Sequence, residues 1–81
     1  MTYRNNEIQF LDCSGQLCPA PILMTEERMA ELKINEVLEV LFTDPGAEAD
    51  LEAWCRMMKY DFFELRKEKK NLFVKIRKKA A

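Results

Sequence analysis

The chain has 81 residues, of which 48% are hydrophobic and 33% are charged, and this composition is typical of a folded globular domain. A chain of this size buries only about 60–65% of its unfolded surface, so residues 1–81 are expected to form one domain without a deep pocket. The 13 Lys and Arg residues nearly balance the 14 Asp and Glu residues, and the absence of His excludes a Cys–His catalytic pair.

No apolar run has the length of a signal peptide or a membrane span, and three cysteines are too few for a disulfide-built mini-protein. These features predict a cytoplasmic protein with free thiols. No cofactor is expected. A metal site is disfavoured, because Cys13, Cys18 and Cys55 would need a carboxylate as the fourth ligand.

Alternation from Ile8 to Asp12 predicts a first strand, which the turn-forming run Asp12-Cys13-Ser14-Gly15 ends. Gly15 lets the chain turn sharply. Cys13 is either a resolving thiol or a turn residue, and the turn residue is the preferred interpretation.

Pro19 and Pro21 fit only the first turn of a helix, where their missing N–H groups would have no intrahelical partner, so a helix is expected to start at Cys18. Met24 lies near the cysteine end of this helix, and Asn35 is expected to be its left-handed C-cap. The apolar stripe that should face a sheet consists of Ile22, Thr25, Met29 and Leu32.

The run from Val37 to Phe42 predicts a second strand. After it, Asp44 is expected to cap a second helix with Pro45 at the first helical position. The buried face of this helix is predicted to consist of Ala47, Leu51, Trp54, Cys55 and Met58.

Two further strands are predicted over 60–66 and 72–78, with residues 67–71 as a hairpin loop. The order β-α-β-α-β-β predicts an α+β fold, a two-layer α/β sandwich with a four-stranded mixed sheet. Right-handed crossovers place both helices on one face, so Cys18 and Asp44 should lie close together.

Cys18 is the candidate reactive group, because a thiolate is stabilised at the positive end of a helix and is the reactive form of cysteine. We expect its sulfur to face solvent and to be ionised near neutral pH. Such a thiolate attacks a persulfide and passes the outer sulfur to the next thiol, as in thiol–disulfide exchange. For Cys55, on the predicted buried stripe, core packing is the preferred interpretation.

The run from Asp12 to Pro21 resembles the Asp-x-x-Gly-x-x-Cys-Pro-x-Pro signature of the TusA/SirA/YedF family of small sulfur-carrier proteins. The resemblance implies that Cys18 receives persulfide sulfur from a cysteine desulfurase or a rhodanese and hands it to an acceptor relay protein. It implies a sulfurtransferase that acts through a cysteine persulfide, as a carrier rather than a multiple-turnover enzyme. Family roles include tRNA thiolation, cofactor sulfur supply and sulfur oxidation. The supporting site residues are Asp12, Gly15, Pro19, Pro21, Met24 and Asp44.

Two other functions stay open. Residues 67–81 contain seven Lys or Arg residues and one acid. This basic segment would let an adaptor protein contact nucleic acid or the acidic face of another protein. Alternatively, the charges are simply solvated and protect an edge strand against mispairing. A Cys13–Cys18 disulfide would instead make the protein a redox sensor. The cations are Lys67, Lys69, Lys70, Lys75, Arg77, Lys78 and Lys79.

Overall fold

A computed structural model of the chain describes residues 8–17 and 19–79. Its elements confirm the predicted β-α-β-α-β-β order. They are β1 (Ile8–Cys13), α1 (Ala20–Glu31), β2 (Val37–Phe42), α2 (Ala47–Met58), β3 (Asp61–Glu68) and β4 (Asn71–Arg77). Within the described ranges, neither helix is long and apolar enough to cross a membrane.

The four strands form one mixed sheet in the order β1-β2-β4-β3. Strands β1 and β2 are parallel, whereas β4 runs antiparallel to both β2 and β3. The ends of β1, β2 and β3 and the start of β4 therefore lie at the same end of the sheet. This end, where the strands meet their connecting loops, is here called the loop edge. Both helices start from this edge and pack on one face, which confirms the two-layer α/β sandwich.

The core lies between the helices and the two central strands. Alternate residues of β2 and β4 point into it, because successive side chains of a strand face opposite sides of the sheet. The helices contribute Met29 from α1, and Leu51 and Cys55 from α2. The strand residues in this core are Leu11 and Cys13 of β1, with Leu38, Val40, Phe42, Leu72, Val74 and Ile76 of the central strands.

Strand β1 is one residue longer than predicted, which changes the interpretation of Cys13. This residue pairs with Phe42 of β2 and is completely buried, so the prediction of a turn residue was wrong. The turn begins at Ser14. Cys13 faces the core because it alternates with the exposed side chain of Asp12 along the strand.

Helix α1 begins at Ala20, two residues after the predicted start at Cys18, with Pro19 as its N-cap and Pro21 in its first turn. Its buried stripe differs by one residue, since Pro21 is buried and Ile22 is only half-buried. The residues that face the sheet are therefore Pro21, Thr25 and Met29, spaced by four. The buried hydroxyl of Thr25 donates a hydrogen bond to the carbonyl oxygen of Pro21 at 2.7 Å, so this polar group is satisfied.

The C-terminal end of α1 was predicted too late in the chain. The helix ends at Glu31, and Leu32 is its C-cap in an extended conformation. Asn35 does have a positive φ of 77°, but it lies in the turn before β2. The carbonyl oxygens of Met29 and Leu32 instead accept hydrogen bonds from the Lys78 ammonium, each at 2.9 Å.

Helix α2 begins at Ala47, whereas Pro45 was predicted to be its first residue. Gly46 is its N-cap residue, and the Asp44 carboxylate accepts a hydrogen bond from the Gly46 N–H at 3.0 Å. Asp44 therefore binds a backbone N–H at the helix start, as expected, without being the N-cap. On the helix face, Met58 is exposed and Trp54 is half-buried beside Tyr60, so the predicted buried stripe was too wide.

The prediction of residues 67–71 as a hairpin loop was wrong. Strand β3 continues to Glu68, which pairs with Asn71, so the turn contains only Lys69 and Lys70. Lys69 has a positive φ of 60°, a conformation common in two-residue hairpin turns. The turn projects from the loop edge, because β3 ends and β4 begins there.

Candidate functional site

The candidate site is built on the loop that joins β1 to α1. Asp12 accepts a hydrogen bond from the Ser14 N–H at 2.9 Å, and the N–H of Gln16 donates to the carbonyl oxygen of Cys13. Gly15 has a φ of 77°, a conformation that favours glycine over residues with a Cβ atom. These contacts give the predicted turn a defined shape.

Thr43 joins this loop to the loop that precedes α2. Its hydroxyl oxygen accepts a hydrogen bond from the Gly15 N–H at 2.9 Å, and it is followed directly by Asp44. The loops before the two helices are therefore in contact at the loop edge. Cys18 itself lies outside the described residues, so its predicted exposure and its proximity to Asp44 stay predictions.

The start of α1 differs electrostatically from the start of α2. The first turn of α1 contains no acidic residue, whereas the first turn of α2 contains Glu48 and Asp50. The positive end of the α2 dipole thus has negative side chains beside it, and the positive end of α1 has none in its first turn. An anion next to α1 would be stabilised by this end of the helix.

Apolar side chains flank position 18 on both sides in the sequence. Leu17 is 73% exposed and Leu23 is 55% exposed, although both are large hydrophobic residues. Met24 is half-buried and packs against the core from α1. Two large apolar side chains are therefore exposed near the motif in the sequence.

The titration of the described site residues follows from their contacts. Hydrogen bonds from the Ser14 side chain and N–H lower the pKa of the Asp12 carboxyl. Burial raises the pKa of the Cys13 thiol, and the negative charge of Asp12 raises it further. Cys13 is thus an unreactive thiol beside the loop, because thiolates are the reactive form. Within residues 8–17 and 19–79, no group of three or more His, Cys, Asp or Glu residues could hold a metal ion.

The family model described as "Sulfurtransferase TusA" matches residues 9–78 of the chain. The chain belongs to the TusA family. The match begins within β1 and includes the complete Cys18-Pro19-Ala20-Pro21 motif. It therefore confirms the family resemblance that the motif indicated.

Several members of the TusA family can be aligned with the chain. The sulfur carrier protein TusA of Pseudomonas entomophila is 33% identical over 86% of this chain and 88% of its own length. The putative sulfur carrier protein YrkF of Bacillus subtilis is 48% identical over 64% of this chain. The chain spans only 28% of YrkF and 32% of a putative sulfur carrier protein of Aquifex aeolicus.

A solved structure shares the fold. The SirA-like protein of Desulfitobacterium hafniense superposes with a TM-score of 0.78 and 27% sequence identity, over 91% of this chain and 100% of that protein. The similarity extends over nearly the entire β-α-β-α-β-β arrangement.

The residues proposed to support Cys18 fall into two groups. Asp12 lies near the end of β1, Gly15 lies in the loop, and Pro19 and Pro21 lie at the start of α1, so they shape the backbone on both sides of position 18. Met24 and Asp44 lie farther along the chain, in the core-facing part of α1 and in the loop before α2. Their roles toward Cys18 stay predictions.

Two features of the site were not predicted from the sequence. The hydrogen bond between Thr43 and Gly15 joins residues 28 positions apart, and the only signal was a hydroxyl residue at the end of an apolar strand. The exposure of Leu17 and Leu23 was also missed, because an isolated leucine beside a proline motif gives no periodic signal.

Proposed function

We propose that the protein is a sulfur carrier that holds sulfur as a persulfide on Cys18. The observation that carries this proposal is the position of the complete TusA-family motif, directly before a helix whose first turn contains no acidic residue. A thiolate at that position is favoured by the helix dipole, and thiolates are the nucleophiles of sulfur exchange.

The transfer is an exchange without net oxidation. The Cys18 thiolate attacks the outer sulfur of a donor persulfide, R–S–SH, and forms a new S–S bond. The S–S bond of the donor breaks, and the donor leaves as the thiolate R–S⁻. An acceptor thiolate then attacks the outer sulfur on Cys18 in the same way, which regenerates the Cys18 thiolate.

The proposed partners follow from this exchange. The donor is a cysteine desulfurase or a rhodanese, and the acceptor is a second relay protein that serves tRNA thiolation, cofactor sulfur supply or sulfur oxidation. A cytoplasmic location suits this chemistry, because reducing conditions keep thiols free. The protein acts as a carrier and needs no resident cofactor.

The two alternative functions have less support. A redox pair with Cys18 would require Cys13 to react, yet Cys13 is completely buried and its pKa is raised by burial. A nucleic-acid adaptor would use the basic C-terminal strand. However, the Lys75 ammonium lies 3.4 Å from the Glu64 carboxylate, and the Arg77 guanidinium lies 3.5 Å from the Asp61 carboxylate. These ion pairs reduce the positive charge available to phosphate groups.

The experiment that tests the proposal is sulfur loading followed by intact-mass measurement. Inorganic polysulfide is the donor, and the expected product is the protein with added sulfur that a reducing agent removes. The Cys18→Ser variant is expected to remain at its unmodified mass. The matched control is Cys55→Ala, which removes a buried thiol and is expected to load normally. Equal loading of Cys18→Ser would contradict the proposal.

A further inference from the structure

A groove of about 480 Å³ opens at the loop edge, between the start of α2 and the β3–β4 hairpin. Its lining includes half-buried Thr43, exposed Pro45 and buried Leu72. A volume of this size is typical of sites that bind a small ligand or a few side chains of a peptide. The groove is therefore large enough for a short segment of another protein.

The remaining lining residues are charged, and most of them are positive. Lys67, Lys69 and Lys70 contribute three ammonium groups, and Glu48 contributes one carboxylate. Lys67 lies 3.9 Å from Glu48 and is partly neutralised. Among the residues that the structure describes, Lys69 and Lys70 form no ion pair within 4 Å. A ligand with carboxylate groups would complement this charge.

The groove adjoins the loop that contains the family motif. Thr43 lines the groove, and its hydroxyl accepts the hydrogen bond from Gly15, three residues before Cys18. In the sheet, Phe42 pairs with Cys13 on one side and with Leu72 on the other. A molecule bound in the groove would thus lie at the same edge of the sheet as the motif loop.

The charge around the groove favours a peptide over a nucleic acid. Nucleic-acid binding uses an extended basic surface that contacts several phosphates. Here Lys75 and Arg77 are in ion pairs, and the Lys78 ammonium binds backbone carbonyl groups of α1. Of the cations that line the groove, Lys67 is paired with Glu48, which leaves Lys69 and Lys70 for a ligand with a few carboxylates rather than for an extended polyanion.

We propose that this groove binds a short acidic peptide segment of the protein that exchanges sulfur with Cys18. The partner's carboxylates contact Lys69 and Lys70, and an apolar side chain of the segment contacts Leu72 and Pro45. Binding there positions the partner's reactive sulfur at the loop edge. The identity of the partner in this inference rests on the proposed sulfur-carrier function.

The groove is tested by NMR titration of the ¹⁵N-labelled full chain at low ionic strength. The probe is an acetylated and amidated hexapeptide of sequence Glu-Leu-Asp-Glu-Leu-Asp, and the neutral control is Gln-Leu-Asn-Gln-Leu-Asn. The acidic peptide is expected to shift the amide signals of Thr43, Lys69, Lys70 and Leu72. The double variant Lys69→Glu/Lys70→Glu is expected to weaken binding at least about fivefold, since charge complementarity becomes repulsion.

Lys79→Glu is the matched control, because Lys79 is exposed beyond the end of β4 and lies at the opposite edge of the sheet. This variant should bind the acidic peptide with unchanged affinity. The proposal is overturned if the neutral peptide binds equally or if the double variant keeps its affinity. It is also overturned if an oligouridylate probe shifts the groove signals and the acidic peptide does not.

Sulfur loading of Cys18 is measured on the same preparation, so that the two proposals are tested separately. Loading together with peptide shifts in the groove supports both of them. Loading without peptide shifts contradicts only the acidic-peptide groove. Failure of Cys18 to load contradicts the sulfur-carrier function, whatever the peptide titration shows.

Discussion

At the scale of single residues, burial determines how two of the three cysteines titrate. Burial raises the pKa of the Cys55 thiol to about 12, and the negative charge of Glu52 adds to this effect. Burial also raises the pKa of Cys13. Both thiols are completely inaccessible in the folded protein. They are therefore core residues that keep their protons under conditions in which an exposed thiol would ionise.

The Cys55 thiol predicts a loss of stability in alkaline solution. Well below pH 9, the Cys55 thiol is protonated in both the folded and the unfolded protein, so its titration does not lower the free energy of unfolding. Between pH 9 and about 12 only the unfolded chain releases it, and the free energy of unfolding falls by up to about 1.4 kcal/mol per pH unit. Urea denaturation at a series of pH values measures this slope.

Two variants separate the Cys55 effect from other groups that titrate in the same range. Cys55→Ala is expected to have a shallower decline of stability above pH 9. Met57→Ala, an exposed position on the same helix, is expected to keep the wild-type slope. An identical slope in wild type and Cys55→Ala would contradict the pKa assigned to this thiol.

Single residues also show what the sequence did and did not predict at the site. The motif from Asp12 to Pro21 predicted the turn and the family, and placed the helix start within two residues, because glycine permits the positive φ of the turn and proline fixes its own φ. The role of Thr43 could not be predicted in the same way. Its hydrogen bond to Gly15 depends on the parallel pairing of β1 with β2, which is a long-range contact.

At the scale of secondary-structure elements, Lys78 connects the end of β4 to the end of α1. Its ammonium donates hydrogen bonds to the carbonyl oxygens of Met29 and Leu32, and its carbonyl oxygen accepts the Asn35 N–H at 2.6 Å. The last carbonyl groups of a helix lack intrahelical donors, and a cation near them is also favoured by the helix dipole. Lys78 thus completes the C-terminal end of α1.

Replacement of Lys78 by methionine should therefore destabilise the protein. Lys78→Met keeps the aliphatic part of the side chain and removes the charged donor, so about 1–2 kcal/mol of unfolding free energy is expected to be lost. Urea denaturation followed by circular dichroism measures the loss. Lys79→Met is the matched control and should change stability little, since Lys79 is exposed. Equal losses in the two variants would show that the capping contacts contribute nothing.

The hairpin shows why element boundaries were harder to predict than element types. The run from Lys67 to Asn71 is polar and lysine-rich, which is typical of a loop. In the structure, Lys67 pairs with Leu72 across the two strands and its ammonium lies near Glu48 of α2. Pairing with β4 extends the strand despite its polar composition, and sequence periodicity does not report such a contact.

At the scale of the whole molecule, the two central strands and the two edge strands have different environments. Strands β2 and β4 have neighbours on both sides and supply most of the completely buried sheet residues. Strand β1 has β2 as its neighbour, and β3 has β4. Phe10 of β1 and Phe63 of β3 are exposed. The centre of the sheet should therefore open only when the entire domain unfolds.

Hydrogen exchange tests this difference in stability. The paired residues Val40 and Val74 are expected to have amide opening energies equal to the global free energy of unfolding, and these energies should fall with added urea. The amides at the outer edges of β1 and β3 should exchange faster and depend less on urea. Slower exchange in β3 than in β4 would contradict this order.

The complete architecture was predictable because periodicity, turn residues and helix-start signals agreed on the same order of elements. The α+β class, the mixed sheet and the common face of the helices followed from that order. The groove was not predictable, because its walls come from the start of α2 and from the hairpin, and their distance depends on the register of β3 against β4.

The loop edge and the opposite end of the strands are well separated, which has a practical consequence for laboratory work. The exposed turn at Ile34 and Asn35 lies opposite the loop edge, because it leads into the start of β2. A fluorophore or an affinity handle attached at that turn would point away from the β1–α1 loop and the hairpin. Immobilised through this turn, the protein would present the loop that contains the family motif to candidate partners.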